Sequence, residues 1–159
     1  MSLKQQIDQQ LTQLASSPGD KHELSIAVAG GHLECQLTAI DSMSCSFRLL
    51  EFQTSKLAGA SVQQLKELSE ALSKRLSYLL EPIGIVEADD EQCVVQMRSN
   101  PPQRDDDGTS YYELLLRTGG TISLCRYTKN RGDARQTVPA LVTREVLARL
   151  ATDFVDAVA

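Results

Sequence analysis

The sequence predicts a single α+β domain, in which an antiparallel sheet built from hairpins carries helices on one face. Two glycine pairs, Gly30-Gly31 and Gly119-Gly120, each separate stretches of alternating apolar and polar residues, as in β-hairpins. Three other stretches repeat leucine and related residues every three or four positions, which is the spacing of amphipathic helices. Since the hairpins do not alternate with helices as β-α-β units, the predicted element order is α-βββ-α-ββ-ββ-α.

Length and composition are typical of one globular domain over residues 1–159. Of these residues 42% are hydrophobic and 23% are charged, and a chain of about 150 residues can bury roughly 68–70% of its unfolded surface. Aromatic residues are scarce, with no Trp, three Phe and four Tyr. The predicted core is therefore mostly aliphatic.

Charge and hydropathy argue against two classes of partner. The formal net charge is −5, whereas non-specific nucleic-acid binding depends on Lys and Arg that neutralise phosphates. The acidic excess lies in residues 1–97, and residues 98–159 are slightly basic. No stretch approaches the roughly 18 apolar residues of a membrane span, and the N-terminus has no long apolar run. We expect a cytoplasmic protein with no nucleic-acid partner and no membrane partner.

The first predicted elements are a helix over residues 3–15, ended by residues 16–20, and a three-stranded meander. A turn at Gly30-Gly31 pairs Val28 with Leu33, and a loop at 40–42 adds the third strand, which begins near Met43. His32 and Gln36 are predicted to face water. The apolar face of the meander comprises Leu24, Ile26, Val28, Leu33, Cys35, Leu37, Cys45, Phe47 and Leu49.

The middle of the chain predicts a helix followed by a second hairpin. Ser61-x-x-Gln64 is a capping box at the start of the helix over 62–79. Its apolar stripe includes Leu65, Leu68, Leu72 and Leu76. Strands over 83–88 and 92–99 form the hairpin, with Cys93, Val95 and Met97 on one face. Residues 100–109, rich in Pro and Asp, are predicted to be a mobile loop.

A third hairpin and a last helix complete the prediction. Strands over 110–118 and 121–128 turn at Gly119-Gly120, which places Glu113 opposite Arg126 as a cross-strand charge pair. The predicted core side of this hairpin comprises Tyr112, Leu114, Leu116, Cys125 and Tyr127. A polar loop over 129–137 leads to a helix over 141–158.

We recognise no catalytic or metal-binding motif. The four cysteines, Cys35, Cys45, Cys93 and Cys125, form no C-x-x-C pair and are predicted to be small buried residues. His32-x-Glu34 lacks the P-C-x-x-C of zinc deaminases, and no G-x-S-x-G elbow accompanies either histidine. The acidic run at 105–107 lacks EF-hand spacing, so a solvated loop is favoured and cation binding stays open. The prediction is no catalytic residue, no metal and no cofactor.

One basic group remains a candidate site. It comprises Arg126, Lys129, Arg131 and Arg135. Such a group is either a solvated hairpin and loop or a site for a small anion or an acidic partner, since guanidinium and ammonium groups bind anionic oxygens.

The element order resembles that of the class I type III secretion chaperones. The resemblance rests on one helix, a three-stranded meander, a leucine-rich helix, further hairpin strands and a final helix ending in Leu150-x-x-x-Phe154-Val155. It implies a small acidic cytosolic dimer that binds an extended segment of a partner protein across sheet and helix surfaces without catalysis. The hairpin around 110–128 and the Pro-Pro-Asp insert before it depart from the family pattern.

Two functional hypotheses follow from different classes. The first is a non-enzymatic partner-binding or self-associating module. Its alternative is a small-ligand or anion-binding domain that uses Arg126, Arg131 and Arg135. An exposed apolar groove would favour the first, and a closed pocket with converging Arg, Tyr and Asp groups would favour the second.

Overall fold

The computed structural model describes residues 1–19 and 22–159. Within these ranges it contains three α-helices and ten strands that belong to one antiparallel sheet. The predicted α+β class, with helices on one face of an antiparallel sheet, is therefore confirmed. The predicted helix-ending segment 16–20 extends to Asp20, which together with Lys21 lies outside the described residues.

The described elements include three short strands that the predicted order lacks. The additions are β6, β9 and β10. In chain order the elements are α1 (Leu3–Ala15), β1 (His22–Val28), β2 (Gly31–Ile40), β3 (Ser44–Thr54), α2 (Val62–Arg75), β4 (Ile83–Asp89), β5 (Val94–Ser99), β6 (Gln103–Arg104), β7 (Gly108–Arg117), β8 (Thr121–Asn130), β9 (Gln136–Val138), β10 (Ala140–Thr143) and α3 (Arg144–Ala157). Short 3₁₀ turns cover Ser55–Leu57 and Leu76–Leu79.

The sheet runs in the order β1-β2-β3-β8-β7-β5-β4. Strand β3 pairs with β10 through its first half and with β8 through its second half. The far half of β8 pairs with β9. Because only Pro139 separates β9 from β10, these two short strands together fill the space in which β3 and β8 diverge.

The three helices share one core with the sheet. Helix α3 contacts α1, α2 and β3, while α1 lies against β1 and α2 against β4 and β5. Ser2 and Ser61 close capping boxes on α1 and α2, and Thr143 caps α3. Apart from Val62 and Tyr111, the buried apolar side chains of the described residues form a single cluster that extends from Ile7 to Phe154. None of the described helices is long and apolar enough to cross a membrane.

The predicted register of the first hairpin is wrong by two residues. Val28 pairs with Gly31 and not with Leu33, so the two-residue turn is Ala29-Gly30. Gly30 has a φ of +76°, and Gly31 lies so close to β3 that an added Cβ would come within 2.2 Å of the Gln53 carbonyl oxygen. A shift of two residues keeps every side chain on its predicted face. His32 and Gln36 accordingly stay on the water-facing side.

A bulge changes the predicted face of β3. Gln36 pairs with Leu49 and Leu37 with Phe47, so Arg48 is an extra residue on β3. Ala39 then pairs with Ser46, so Thr38 is an extra residue on β2. Cys45 and Phe47 are buried as predicted, but Leu50 is buried where Leu49 was expected. Met43, predicted to join the apolar face, is 78% exposed. Because Leu49 and Leu50 are adjacent, the alternation of apolar and polar residues does not reveal the bulge.

The register of the third hairpin is wrong by one residue. The loop comprises Thr118, Gly119 and Gly120, and Leu114 pairs with Leu124. Gly120 lies against β3, where its carbonyl oxygen accepts a 2.7 Å hydrogen bond from the Thr54 N–H. A one-residue slip exchanges the two faces of a strand. Cys125 and Tyr127 therefore lie on the opposite face from the predicted core side, and Glu113 lies opposite Cys125 and not opposite Arg126.

The remaining elements follow the sequence with smaller corrections. Helix α2 and the hairpin of β4 and β5 are confirmed, although Cys93 lies in the turn, with a φ of +52°. The predicted polar loop 129–137 forms the end of β8, a turn and β9. Residues 141–143 are strand and not helix, because they pair with β3 and Thr143 caps the helix that follows. Within 100–109, β6 pairs with the start of β7, and mobility there stays a prediction.

Candidate functional site

The face of the sheet away from the helices, called here the open face, carries the candidate site. Its centre is formed by β5, β7 and β8, where the register aligns side chains in rows across the strands. One row places Arg98, Glu113 and Cys125 side by side, and the next places Tyr111 beside Tyr127. Neighbouring positions on this face include Val94, Gln96, Leu115, Arg117, Ser123 and Glu51.

Five of these residues form a compact group, called here the Glu113 cluster. It comprises Arg98, Tyr111, Glu113, Tyr127 and Arg135. Strands β5, β7 and β8 supply the first four. Arg135 comes from the turn before β9, whose pairing with β8 brings the chain back beside Tyr127.

Two arginines hold the Glu113 carboxylate. Arg135 Nη1 donates a hydrogen bond to Glu113 Oε2 at 2.5 Å, and Arg98 Nε lies 3.4 Å from the same oxygen. Glu113 is only 2% exposed, although it lies on the open face. The arginines cover it, and their charges offset the cost of burying a carboxylate.

The two tyrosines hold the arginines in turn. The Arg135 guanidinium carbon lies 3.9 Å from the centroid of the Tyr127 ring, and that of Arg98 lies 5.1 Å from the Tyr111 centroid. Such cation–π contacts contribute about 0.5–1 kcal/mol each at exposed sites. The two rings lie 5.9 Å apart, centroid to centroid. These contacts restrict the motion of both guanidinium groups before any ligand arrives.

The titratable groups of the cluster favour binding over nucleophilic chemistry. Burial, together with a hydrogen bond to Cys125, raises the pKa of Tyr127 to about 12. Burial also raises the pKa of the Cys125 thiol. The pKa of Arg135 is raised by its hydrogen bonds to Tyr111 and Glu113. Tyr127, Arg135 and the neighbouring Cys125 therefore all stay protonated at neutral pH.

An open groove of about 280 Å³ runs beside the cluster. Its walls include Glu113, Leu115 and Arg135, and its far end carries Glu87 and Asp89. Binding pockets for small molecules usually enclose 300–1,000 Å³. A shallow groove of this size has the shape to receive a side chain or a short extended segment.

The structure does not bring the four predicted cations together. Arg126 lies on the helix side, where its Nη1 is 3.0 Å from Glu81 Oε2 and its guanidinium lies over Tyr112. Lys129 and Arg131 are exposed near the turn between β8 and β9, beside the acidic run at 105–107. Arg135 alone belongs to the Glu113 cluster.

Four residues of the cluster, Arg98, Tyr111, Glu113 and Tyr127, were not predicted as site residues from the sequence. One signal was available, because a glutamate within the apolar run Tyr112-Glu113-Leu114 must be paired if the strand is buried. Its partners come from a different hairpin and from a turn, and no local pattern indicates them.

His32 contacts a serine and a glutamate, which are the residue types of a Ser-His-acid relay, but their geometry differs from that of a relay. Its Nε2 lies 3.0 Å from Ser25 Oγ and 3.2 Å from Glu34 Oε1. A Ser-His-acid relay needs the serine and the acid on opposite ring nitrogens, whereas here both share one. The contacts describe a hydrogen-bonded surface histidine.

Metal-ligating residues do not converge in the part of the chain that the structure describes: no group of three or more His, Cys, Asp or Glu is placed to hold a metal ion. In the acidic run, Asp105 Oδ1 accepts hydrogen bonds from the N–H groups of Asp107 and Gly108 and thereby closes a tight turn. Its role there is that of a turn residue.

Comparison with known proteins adds no relative. The sequence matches no family model, and the searches of curated proteins and of solved structures find no match either.

Proposed function

We propose that this protein is a non-enzymatic binding module that holds an extended segment of a partner protein on its open face, in the manner of the class I type III secretion chaperones. The observation that carries the proposal is the Glu113 cluster, in which two arginines stack on two tyrosines and pair with one glutamate. The cluster lies at the centre of the sheet face that carries no helices. Tyr and Arg are enriched among the residues that contribute most to protein–protein binding.

The shape of the open face supports an extended segment as the ligand. The groove beside the cluster is shallow and continues across β4, β5 and β7. Leu115 and Val94 are half-buried on this face and offer apolar contact between polar neighbours. An extended chain that crosses these strands can place alternate side chains on the apolar and the polar positions.

The chemistry of the face supports binding without turnover. The raised pKa values of Tyr127 and Cys125 keep both groups protonated at neutral pH. His32, the histidine nearest to a serine and an acid, has both partners on one ring nitrogen.

Site-specific photo-cross-linking in the native cell tests the proposal. We expect a photoreactive residue at Leu115, on the open face, to cross-link one discrete protein species, and one at Lys74, exposed on α2, to cross-link none. The Leu115 cross-link should decrease strongly when Tyr127→Ala is added. Equal cross-linking from both positions, or a Leu115 product unaffected by Tyr127→Ala, would overturn the proposal.

A small-anion-binding domain is the second candidate. It is favoured by the two arginines that share one carboxylate in the Glu113 cluster. Of the three arginines first predicted for such a site, only Arg135 belongs to the cluster. Arg126 pairs with Glu81, and Arg131 lies beside the acidic run at 105–107, so Arg98 is the second arginine of this candidate site. A protein that binds a small anion but gives no cross-link from Leu115 would favour this candidate.

A further inference from the structure

We infer that the Glu113 cluster is a receptor for one carboxylate group, held between the guanidinium groups of Arg98 and Arg135. The cluster contains more positive than negative charge. Of the carboxylates whose ion pairs the structure describes, Glu113 alone is shared by two arginines, whereas Glu81, Asp8 and Asp153 each pair with one. The cluster therefore carries one positive charge in excess.

Unused hydrogen-bond donors accompany the excess charge. A guanidinium has five N–H groups. Arg135 directs one nitrogen, Nη1, to Glu113 and Tyr111. Arg98 makes no hydrogen bond to any described residue, since its Nε lies near Glu113 without the alignment that a hydrogen bond needs. Both side chains remain more than one-third exposed, at 38% and 37%.

Arg126 provides an internal comparison. It also stacks on a tyrosine and pairs with a glutamate, but its side chain is 12% exposed and its charge is matched one to one. It also donates to Gln103 Oε1 at 3.1 Å. The Arg126 site is closed and neutral, whereas the Glu113 cluster is open and positive.

The donors are also held in place. Stacking on Tyr111 and Tyr127 and attraction to a buried glutamate restrict both arginine side chains in the free protein. Side-chain ordering otherwise costs about 0.5–1.5 kcal/mol for each immobilised side chain on binding. A ligand that meets ordered donors avoids much of that cost.

The charge balance selects a carboxylate over a phosphate. One carboxylate neutralises the single excess charge and can accept two parallel N–H bonds from a guanidinium. A phosphate dianion would add a further negative charge beside Glu113 and near Glu87 and Asp89 in the adjoining groove. The carboxylate is that of an acidic side chain in the bound partner segment. This identification of its source rests on the proposed function.

Side-chain NMR of the arginine Nε–Hε groups tests the inference in the full-length protein. We expect added butyrate, which carries a single carboxylate, to shift the Arg98 and Arg135 signals together along one binding curve. Arg98→Gln and Arg135→Gln should each weaken butyrate binding by about tenfold or more. Backbone spectra of both variants establish that they remain folded.

Arg48→Gln is the matched control. It removes the same charge from an exposed position on β3 that does not line the groove. We expect less than about a twofold change in butyrate binding in this variant. If butyrate shifts neither arginine, or if Arg48→Gln weakens binding as much as Arg98→Gln does, the site is overturned.

Two further probes separate the ligand class from its source. Inorganic phosphate should bind more weakly than butyrate, and equal or tighter phosphate binding would overturn the carboxylate assignment. A blocked pentapeptide of Thr and Val with a central Glu should bind more tightly than the same peptide with Gln in place of Glu. Butyrate binding without a difference between the peptides would keep the carboxylate site and overturn the polypeptide source. Failure of the cross-linking experiment alone would overturn the proposed function and leave the site intact.

Discussion

Glu113 is the residue whose placement depends most on its neighbours. It lies on a water-facing sheet surface but is 2% exposed, because Arg98 and Arg135 cover it. A buried carboxylate between two cations stabilises both of them against mutual repulsion.

We therefore expect Glu113→Gln to destabilise the protein. Removing one partner of a fully buried pair costs about 3–5 kcal/mol, and the partial exposure of both arginines reduces the expected loss to about 1–3 kcal/mol. Urea denaturation measures it. Glu51→Gln, a half-buried glutamate on the same face, is the control and should shift the midpoint little. An unchanged midpoint in Glu113→Gln would contradict the role assigned to this carboxylate.

Two buried thiols make a second prediction at the residue scale. Burial raises the pKa of Cys45 from 9.0 to about 11, with an opposing contribution from Arg144, and burial raises the pKa of Cys35 further. Above pH 9 the unfolded chain releases these protons before the folded protein does. The stabilising contribution is therefore complete below pH 9 and is lost as the pH rises through the folded value.

The free energy of unfolding should accordingly fall between pH 9 and pH 11, by up to about 1.4 kcal/mol per pH unit for each thiol. Chemical denaturation at several pH values provides the slope. Cys45→Ala should be less stable throughout but show a shallower slope between pH 9 and pH 10. A slope identical to that of the wild type would show that Cys45 does not contribute.

Among the elements, α2 shows why a periodic pattern overestimates a buried face. Leu65, Leu72 and Leu76 are buried, but Leu68 is only half-buried and Ser69 takes the interior position beside it. The Ser69 hydroxyl donates to the Leu65 carbonyl oxygen at 2.7 Å, which satisfies its polar group.

Leucine truncation on α2 should reflect this difference. We expect Leu72→Ala to lose about 2–5 kcal/mol, because it removes transfer free energy and leaves a cavity. Leu68→Ala should lose less than half as much, since part of its side chain already meets water. Denaturation midpoints of the two variants measure these losses. Equal losses would contradict the partial exposure of Leu68 on α2.

Arg144 connects two helices. It stands in the first turn of α3, where the helix dipole disfavours a cation. Its Nη2 donates to the Asp8 carbonyl oxygen and to Thr12 Oγ1, both at 2.8 Å, and lies 3.1 Å from Asp8 Oδ1. These contacts with α1 offset the unfavourable position.

We expect Arg144→Ala to loosen α1 selectively. Amide hydrogen exchange in α1 should accelerate, whereas exchange in β2 and β3 should change little, because the sheet keeps its own pairings. Arg131→Ala, an exposed arginine at a turn, is the control and should leave α1 protected. Unchanged α1 protection in Arg144→Ala would show that apolar packing alone holds the helix.

For the whole molecule, the C-terminal segment completes both layers. Strands β9 and β10 fill the space between β3 and β8, and α3 contributes Leu147, Leu150 and Phe154 to the common core. One shared core favours a single cooperative transition in a domain of this size.

Deletion of residues 136–159 should therefore abolish cooperative unfolding of the remainder. Thermal melts followed by far-UV and near-UV circular dichroism should coincide for the intact chain and show no cooperative transition for the truncated one. Deletion of Ala159 alone, which is exposed, is the control. A truncated chain that still melts cooperatively would contradict the common core.

The sequence by itself determined the kind and order of the main elements and most of the buried positions. These properties depend on local spacing: a period of three to four residues for helices, a period of two for strands, and serine or threonine at helix starts. For this reason the first hairpin kept its buried face although its register was two residues off.

Only the tertiary structure decided the registers, the bulge in β3 and the candidate site. A glycine pair does not fix the length or position of a turn: Gly31 lies in the strand after the first turn, whereas both Gly119 and Gly120 lie in the loop of the third hairpin. Close contact with β3 holds Gly31 and Gly120 in these places. The observed register differs from the predicted one by one residue, so Arg126 lies on the helix side of the sheet. Glu113 therefore pairs with Arg98 and Arg135 and not with Arg126. The cluster joins three strands and a turn, and charges that meet across strands depend on pairings that no local pattern contains.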